Sequence, residues 1–392
     1  MQIPSEFNLD FNVQNSIVLL GFAGSHSYGT NREGSDIDYK GIFVPPNVYN
    51  TSPFKTIEQL GWKLKDGKYV CGAHLSNIAN AEEEATIFAI KKFFCLAADC
   101  NPNIIELLYI RSEDVILSTP VGDLLRAERS KFLSQKAAKT FVGYSTAQLH
   151  RIVQHKQYLM HPPDHKPTRA EWGLSELTRV NPDQLNACRA FIRRNMITMA
   201  PWLLEADNQH REAFWEGVVN LLAIRDGTPE FNNNLDNWHE IEEGFAEDIA
   251  AKMSFDTDFM EHLRKEKKFS QARSEYEKYL EWQKNRNVER AKTEVEWGYD
   301  VKHGMHLIRL LRMGHQVLTT GTMDVYRPDR QELLDIRHGK WPYEKLVEES
   351  TRMTDEIYSL IRENKTCLPK LPDQKYLEDL NTHCLELHYA NN

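Results

Sequence analysis

The sequence predicts an α+β protein: a small mixed-sheet domain over residues 1–125, then an all-helical domain over residues 126–392. Two apolar runs predict the first part. Residues 16–23, "SIVLLGFA", stop at Gly24-Ser25, and residues 37–44, "IDYKGIFV", stop at Pro45-Pro46, the pattern of short buried strands closed by turns. A change of period predicts the second part. From Lys131 onward the apolar residues recur at three and four, as in "FVGYSTAQLHRIVQHKQYL".

In chain order, further β-like pieces follow the two strands around Trp62–Leu64 and Lys68–Cys71. Residues 86–98, "TIFAIKKFFCLAA", have helical spacing, and "NPNIIELLYI" reads as another helix or strand. In the second domain, "HPPDHKPTRA" at 161–170 reads as irregular, because its prolines remove backbone donors. The segment 259–297 reads as one long, charged, largely solvent-facing helix with a thin apolar stripe: Leu263, Phe269, Tyr276 and Leu280.

Composition narrows the class. Hydrophobic content of 41% and charged content of 27% are globular values, which excludes a disordered or fibrous chain. No apolar run approaches the roughly 18–20 residues that span a bilayer, and "MQIPSEFNLDFN" has neither the basic nor the apolar region of a signal peptide. Cys71, Cys95, Cys100, Cys188, Cys367 and Cys384 show no C-x-x-C spacing, which argues against a zinc framework and fits a reducing cytoplasm. The net charge of −9 argues against a generic nucleic-acid coat. Yet residues 131–170 hold seven Lys or Arg against one acid, Asp164. That window is either a phosphate-facing surface or a solvated helix face balanced by acids elsewhere. Its histidines (His150, His155, His161, His165) are spaced poorly for a metal site, so a phosphate-facing or structural role is expected of them.

The chemistry concentrates in "GFAGSHSYGTNREGSDIDYKGIFV", residues 21–44. On a strand, Asp36 and Asp38 project to one side while Ile37 and Tyr39 point to the other. Two like charges on one face repel, and a divalent cation with hard oxygen ligands removes that cost. Alone, D-x-D is weak evidence, since many such pairs are acids on a solvated edge strand. Gly24-Ser25 ends the preceding strand. Glycine lets the backbone approach a ligand, and a small hydroxyl residue can help hold a phosphate. A phosphate-holding turn beside a metal-holding pair is what phosphoryl transfer requires.

The string G-S-x10-D-x-D on a strand–turn–strand resembles the signature of the polymerase-beta-like nucleotidyltransferase superfamily. The fuller string looks like the branch of predicted nucleotidyltransferases associated with RNA-repair operons, with bacterial and phage members. "IKKFFCLAADCNPNIIELLY", "GYSTAQLHRIVQHKQYLMHPP", "VKHGMHLIRLLRMGHQVLTTG" and "LLDIRHGKWPYEKL" extend the resemblance to about residue 347. It implies a palm-like catalytic domain using Mg²⁺ or Mn²⁺ and an NTP, with Gly24 and Ser25 at the phosphates and Asp36 and Asp38 on metal.

The resemblance also places a third carboxylate just before the K-F helix, in "NAEEEATIFAIKKFF". Strand parity puts Glu82 and Glu84 on one face and Glu83 on the other. Glu84 matches the family position best, although related sequences more often carry Asp there, and Glu82 stays open. A helix-terminal acid cluster is the alternative reading. In "YDVKHGMHLIRLLRMG", Lys302, His306 and Arg309 follow at i, i+4 and i+7, with Met305, Ile308 and Leu311 for the packed side. The resemblance makes this helix part of the NTP site, with Arg312 a weaker candidate. Tyr28 and Arg32, in the loop between the strands, are candidates for base or phosphate contact. Tyr144, Gln148, His150 and Arg151 are candidates for contact with an acceptor strand.

The expected activity is metal-dependent transfer of an NMP from an NTP to an acceptor hydroxyl, with release of pyrophosphate. The basic window and the RNA-repair association favour an RNA or tRNA 3′ end as acceptor. A protein or small-molecule acceptor is the alternative, and so is a non-catalytic nucleotide-binding or antitoxin-like module. Intact Gly24, Ser25, Asp36 and Asp38 weigh against the module. No H…HD spacing supports a metal phosphohydrolase.

Overall fold

The computed structural model describes residues 9–72, 81–176, 257–286 and 288–390, with positions 4, 7 and 75. Cys188 lies outside them, as does the side chain of Leu263. The α+β class is borne out: a six-stranded mixed sheet in the N-terminal region is followed by helices. The strands are β1 (Ile17–Ala23), β2 (Ile37–Phe43), β3 (Gln59–Lys65), β4 (Lys68–Gly72), β5 (Glu83–Ala89) and β6 (Val115–Ser118). Their order is β4-β3-β5-β2-β1-β6. β2 and β5 are parallel neighbours, and the other pairings are antiparallel.

The helices of the N-terminal region are α1 (Val13–Ser16), α2 (Gly24–Tyr28), α3 (Val48–Thr51), α4 (Ile90–Ala98), α5 (Pro102–Tyr109), α6 (Pro120–Ala127) and α7 (Gln135–Met160). After the gap in the described residues come α8 (Thr257–Asn285), α9 (Val288–Trp297), α10 (Val301–Thr320), α11 (Arg330–Arg337), α12 (Tyr343–Arg362) and α13 (Gln374–Ala390). The ambiguous "NPNIIELLYI" is helical: Asn101 caps it by accepting from the Asn103 N–H, and Pro102 sits at its first position, where no backbone donor is needed.

Three details differ from the sequence reading. The helix expected over 86–98 begins at Ile90, because residues 83–89 pair with β2 as a strand whose Ala85, Ile87 and Ala89 are buried on one face. The turn at Gly24-Ser25 is the start of a short helix. The long helix expected over 259–297 is two helices, α8 and α9, and Leu280 of the expected apolar stripe is 44% exposed. β6 carried no sequence assignment, being four residues long.

By packing, the chain forms two compact units: residues 1–156 with 292–392, and residues 157–291. The boundary expected near residue 125 falls inside the first unit, where Leu125, Phe132 and Phe141 share one core cluster with Leu310, Met313 and Leu377. One face of the sheet packs Tyr39, Phe43, Trp62, Ala85 and Ile87 into a second cluster. Along α10, Leu310, Met313 and Val317 enter the first cluster, while Met305, Ile308 and Leu311 enter a third with Val142 and Leu346. α10 is therefore clamped between two apolar layers, which fixes the polar side chains at its N-terminal end. In the second unit, an irregular stretch after α7 leads to a short 3-10 turn at Arg169–Trp172, closed by a Thr168/Glu171 capping box. There Arg169 pairs with the buried Glu266. No disulfide joins the described cysteines, and no helix among the described residues is long and apolar enough to cross a membrane.

Candidate active site

The parallel pairing of β2 and β5 sets the site. Asp38 stands in register with Glu84, and Ile37 with Glu83. Since side chains alternate along each strand, Asp38 and Glu84 share one face, and Glu83 turns toward Tyr39 on the other. Asp36 sits one residue before β2 and is exposed, as is Glu84; Asp38 is half-buried. Glu82 precedes β5 and is exposed.

On the other side of β2, Asp38 pairs with Ala23 of β1, so Gly24 lies against it. Gly24 has φ +60, and a Cβ added there would run into Asp38 Oδ2 and Cγ. Glycine is thus required twice, by the left-handed backbone and by the carboxylate. Ser25 follows, half-buried in the first turn of α2.

Burial, then repulsion from Asp36 and Glu84, raises the pKa of Asp38 above its usual 3.8. Lys40 and Lys302 oppose that rise. Carboxylates that destabilise one another's charge form an oxygen-only donor set suited to Mg²⁺ or Mn²⁺. Their donor atoms are not among those gathered within 4.8 Å of one another. Instead Glu84 Oε2 meets Lys63 Nζ of β3 at 3.0 Å. The residue types suit a divalent ion, and in this structure Glu84 is held by Lys63.

The other predicted residues divide into two groups. Lys302 is half-buried at the start of α10, and its charge reaches Asp38. His306, one turn on, lies edge-on to the Tyr28 ring at 6.5 Å. Burial, with the charges of Arg309, Lys302, His303 and Arg337, drives its pKa well below 6.5, so its imidazole is neutral. Tyr28 and Arg309 are placed differently from the sequence reading. Tyr28 is the last residue of α2, 4% exposed, and its hydroxyl donates to Glu106 Oε2 at 2.6 Å. Arg309 is also 4% exposed; its Nη1 donates to Glu106 Oε1 at 2.6 Å, and its guanidinium lies 3.8 Å from the Tyr28 ring centroid. Arg309 lies on the same face as Lys302 but two turns further along the helix, where that face is buried and the guanidinium neutralises a buried glutamate. Arg312 pairs with Asp329 and Glu332. Arg32 is exposed beyond α2.

Much of the basic window is engaged locally. Lys136 pairs with Asp99, Lys131 lies over Tyr376, Lys156 lies over Tyr343, and Arg169 pairs with Glu266. Tyr144 accepts a hydrogen bond from Asn101, and Gln148 meets His303. Lys139, His150 and Arg151 are exposed on α7.

Sequence reading missed Lys40, Lys63 and Glu106. Lys40 follows Asp38 by two residues and so shares its face; its Nζ donates to the Asn103 carbonyl at 2.9 Å. Parity could have found it. Lys63 and Glu106 act across pairings that sequence does not declare.

Residues 5–162 match the model of the RNA repair pathway DNA polymerase beta family. A relative, the uncharacterized 38.9 kDa protein of the nrdC-mobD intergenic region of Enterobacteria phage T4, is 31% identical over 136 residues. That match covers 32% of this chain and 36% of the phage protein, so the chain spans about a third of the relative's length. No solved structure matches the chain. The resemblance read from the sequence is borne out over residues 5–162, a segment that holds Gly24, Ser25, Asp36, Asp38 and Glu84. A polymerase-beta-like family suggests a nucleotidyltransferase.

Proposed function

We propose that the protein is a metal-dependent nucleotidyltransferase that moves an NMP from an NTP to an acceptor hydroxyl of RNA, with a tRNA 3′ end in that class, and releases pyrophosphate. The observation that carries this reading is the register of Asp38 with Glu84 beside Gly24, with Asp36 one residue before the strand. Asp36, Asp38 and Glu84 would hold Mg²⁺ or Mn²⁺. Divalent ions bound there supply charge neutralisation at the triphosphate and lower the pKa of the attacking hydroxyl.

The chain's own residues supply the rest. Gly24 leaves Asp38 room at the end of β1, and Ser25 offers a hydroxyl one residue on. Lys302 and Lys40 add positive charge on the Asp38 face, where the β- and γ-phosphates of an NTP need it. Neutral His306 can donate a hydrogen bond without adding charge. The exposed Lys139 and Arg151 favour a polyanionic acceptor. In this reading the sheet-bearing part is the catalytic domain, and the helices after it grip nucleotide and acceptor.

The test is incubation with each α-labelled NTP and Mg²⁺ or Mn²⁺, against total RNA beside a protein extract, with Asp36→Ala/Asp38→Ala as control. Label in RNA from wild type alone supports the reading. Label confined to protein overturns the RNA acceptor, and tight NTP binding without transfer favours the non-catalytic module.

A further inference from the structure

A second cluster of donor atoms lies where α7 meets the start of α10, and it shares no residue with the carboxylates above. His155 comes from α7, Asp300 is the N-cap of α10, and His303 stands in its first turn. One ligand atom from each lies within 4.8 Å of the others. Their spacing in sequence gave no sign of this, because His155 meets its partners only after the chain returns at residue 292.

Asp300 is 2% exposed. Its Oδ1 accepts from the N–H groups of Lys302 and His303, at 2.8 and 3.0 Å, capping the helix. Its Oδ2 is buried and has no hydrogen-bond partner among the described residues. His303 Nε2 faces that oxygen at 3.6 Å, too far for a hydrogen bond. An orphaned buried carboxylate oxygen is costly, and a cation satisfies it.

The histidines are held as metal-bound histidines usually are, through the ring nitrogen that does not ligate. His303 Nδ1 lies 2.7 Å from Gln148 Oε1, and His155 Nδ1 lies 3.2 Å from Glu294 Oε1. Glu294, like Asp300, is 2% exposed. The two buried carboxylates, Asp300 and Glu294, sum to a charge that one dication balances. Two imidazoles and one carboxylate suit a first-row transition ion with an open position, and suit Mg²⁺ poorly.

We propose that His155, Asp300 and His303 form a binding site for one divalent transition-metal ion of the Zn²⁺ class, with Glu294 and Gln148 orienting the two rings. The ion ties α7 to the end of α10 that carries Lys302 and His306. This site stands independently of the activity proposed above.

The probe is Co²⁺ added to metal-stripped, full-length protein. Expected in the Asp36→Asn/Asp38→Asn background is one Co²⁺ per chain, with visible ligand-field bands that Zn²⁺ displaces. The bands vanish in His155→Gln/His303→Gln. Glu294→Gln weakens binding by about 10- to 100-fold. Asp300→Asn removes the charge yet keeps a good helix cap, so it abolishes the bands even where the double histidine variant misfolds. Bands that survive Asp300→Asn, a thiolate-to-cobalt charge-transfer band, or no band at all overturns the proposal.

Discussion

Arg309 and Glu106 form a buried ion pair, Nη1 to Oε1 at 2.6 Å, that joins α10 to α5 beneath the candidate active site. The Tyr28 hydroxyl takes the second carboxylate oxygen, so Glu106 is bound on both oxygens. Removing one partner of such a pair leaves a buried charge, at a cost of about 3–5 kcal/mol. Arg309→Leu is therefore expected to destabilise on that scale in urea denaturation. A variant that stays as stable as wild type but loses nucleotide affinity would return Arg309 to the phosphate-binding role.

Gly24→Ala is expected to damage both stability and chemistry. A non-glycine residue in the left-handed region costs roughly 1–2 kcal/mol, and here the added carbon also displaces the Asp38 carboxylate. Thermal melts should show the stability loss. Transfer activity should fall further than a neutral-site variant of equal stability would allow.

Asp38→Asn should separate stability from function. The folded-state pKa of Asp38 is raised, so its contribution to stability is fully present below pH 3.8 and is lost as pH rises through the folded value. At neutral pH the ionised group is a net cost. Without divalent ions, Asp38→Asn is expected to melt above wild type at pH 7. Added Mg²⁺ should raise the wild-type Tm and leave the variant unmoved, while nucleotidyl transfer by the variant drops at least about 100-fold. A variant melting below wild type in chelator would count against the repulsion argument.

Register distinguishes the acids before α4. Glu84 stands opposite Asp38, whereas Glu82 precedes the strand. Glu84→Gln should abolish transfer and Glu82→Gln should leave it within about threefold, an effect under 1 kcal/mol. Glu84 is half exposed but Lys63 is buried, so Glu84→Gln should also cost some stability by removing the carboxylate that meets a buried ammonium, whereas Glu82→Gln, at an exposed site, should change it by no more than about 1 kcal/mol. Equal losses in both variants would remove Glu84 from the metal set.

His306 should make stability depend on pH. Its folded pKa lies well below 6.5, so the unfolded chain takes up the proton first as pH falls. The contribution is present above pH 6.5 and is lost as pH falls from there toward the folded value. One such group gives a slope of at most about 1.4 kcal/mol per pH unit. Urea denaturation from pH 7 to pH 5 should show a steeper loss for wild type than for His306→Gln.

What could be read from sequence were features that depend on neighbours in the chain. The β1 and β2 runs and the parity of Glu82, Glu83 and Glu84 follow from apolar runs and alternation within a few residues, whereas "NPNIIELLYI" stayed open between helix and strand until the structure showed its Asn101 cap. Residues 86–89 escaped because four apolar-rich positions running into a helix carry no boundary of their own; only pairing with β2 makes them a strand. Tyr28 and Arg309 were misplaced for a related reason. Polarity marked them as site residues, while the glutamate that buries them lies 78 residues from one and 203 from the other. Lys63 and the His155–Asp300–His303 cluster likewise exist only once distant segments meet.

That separation of 203 residues between Glu106 and Arg309 also sets a timetable. At synthesis rates of about 5–20 residues per second, the sheet with Asp38 and Glu84 leaves the ribosome roughly 10–40 s before α10 can reach it. Through that interval Glu106 and Tyr28 have no arginine to close on. The newborn chain is thus a sheet awaiting its last helices, and the charged site matures only when the C-terminal segment arrives.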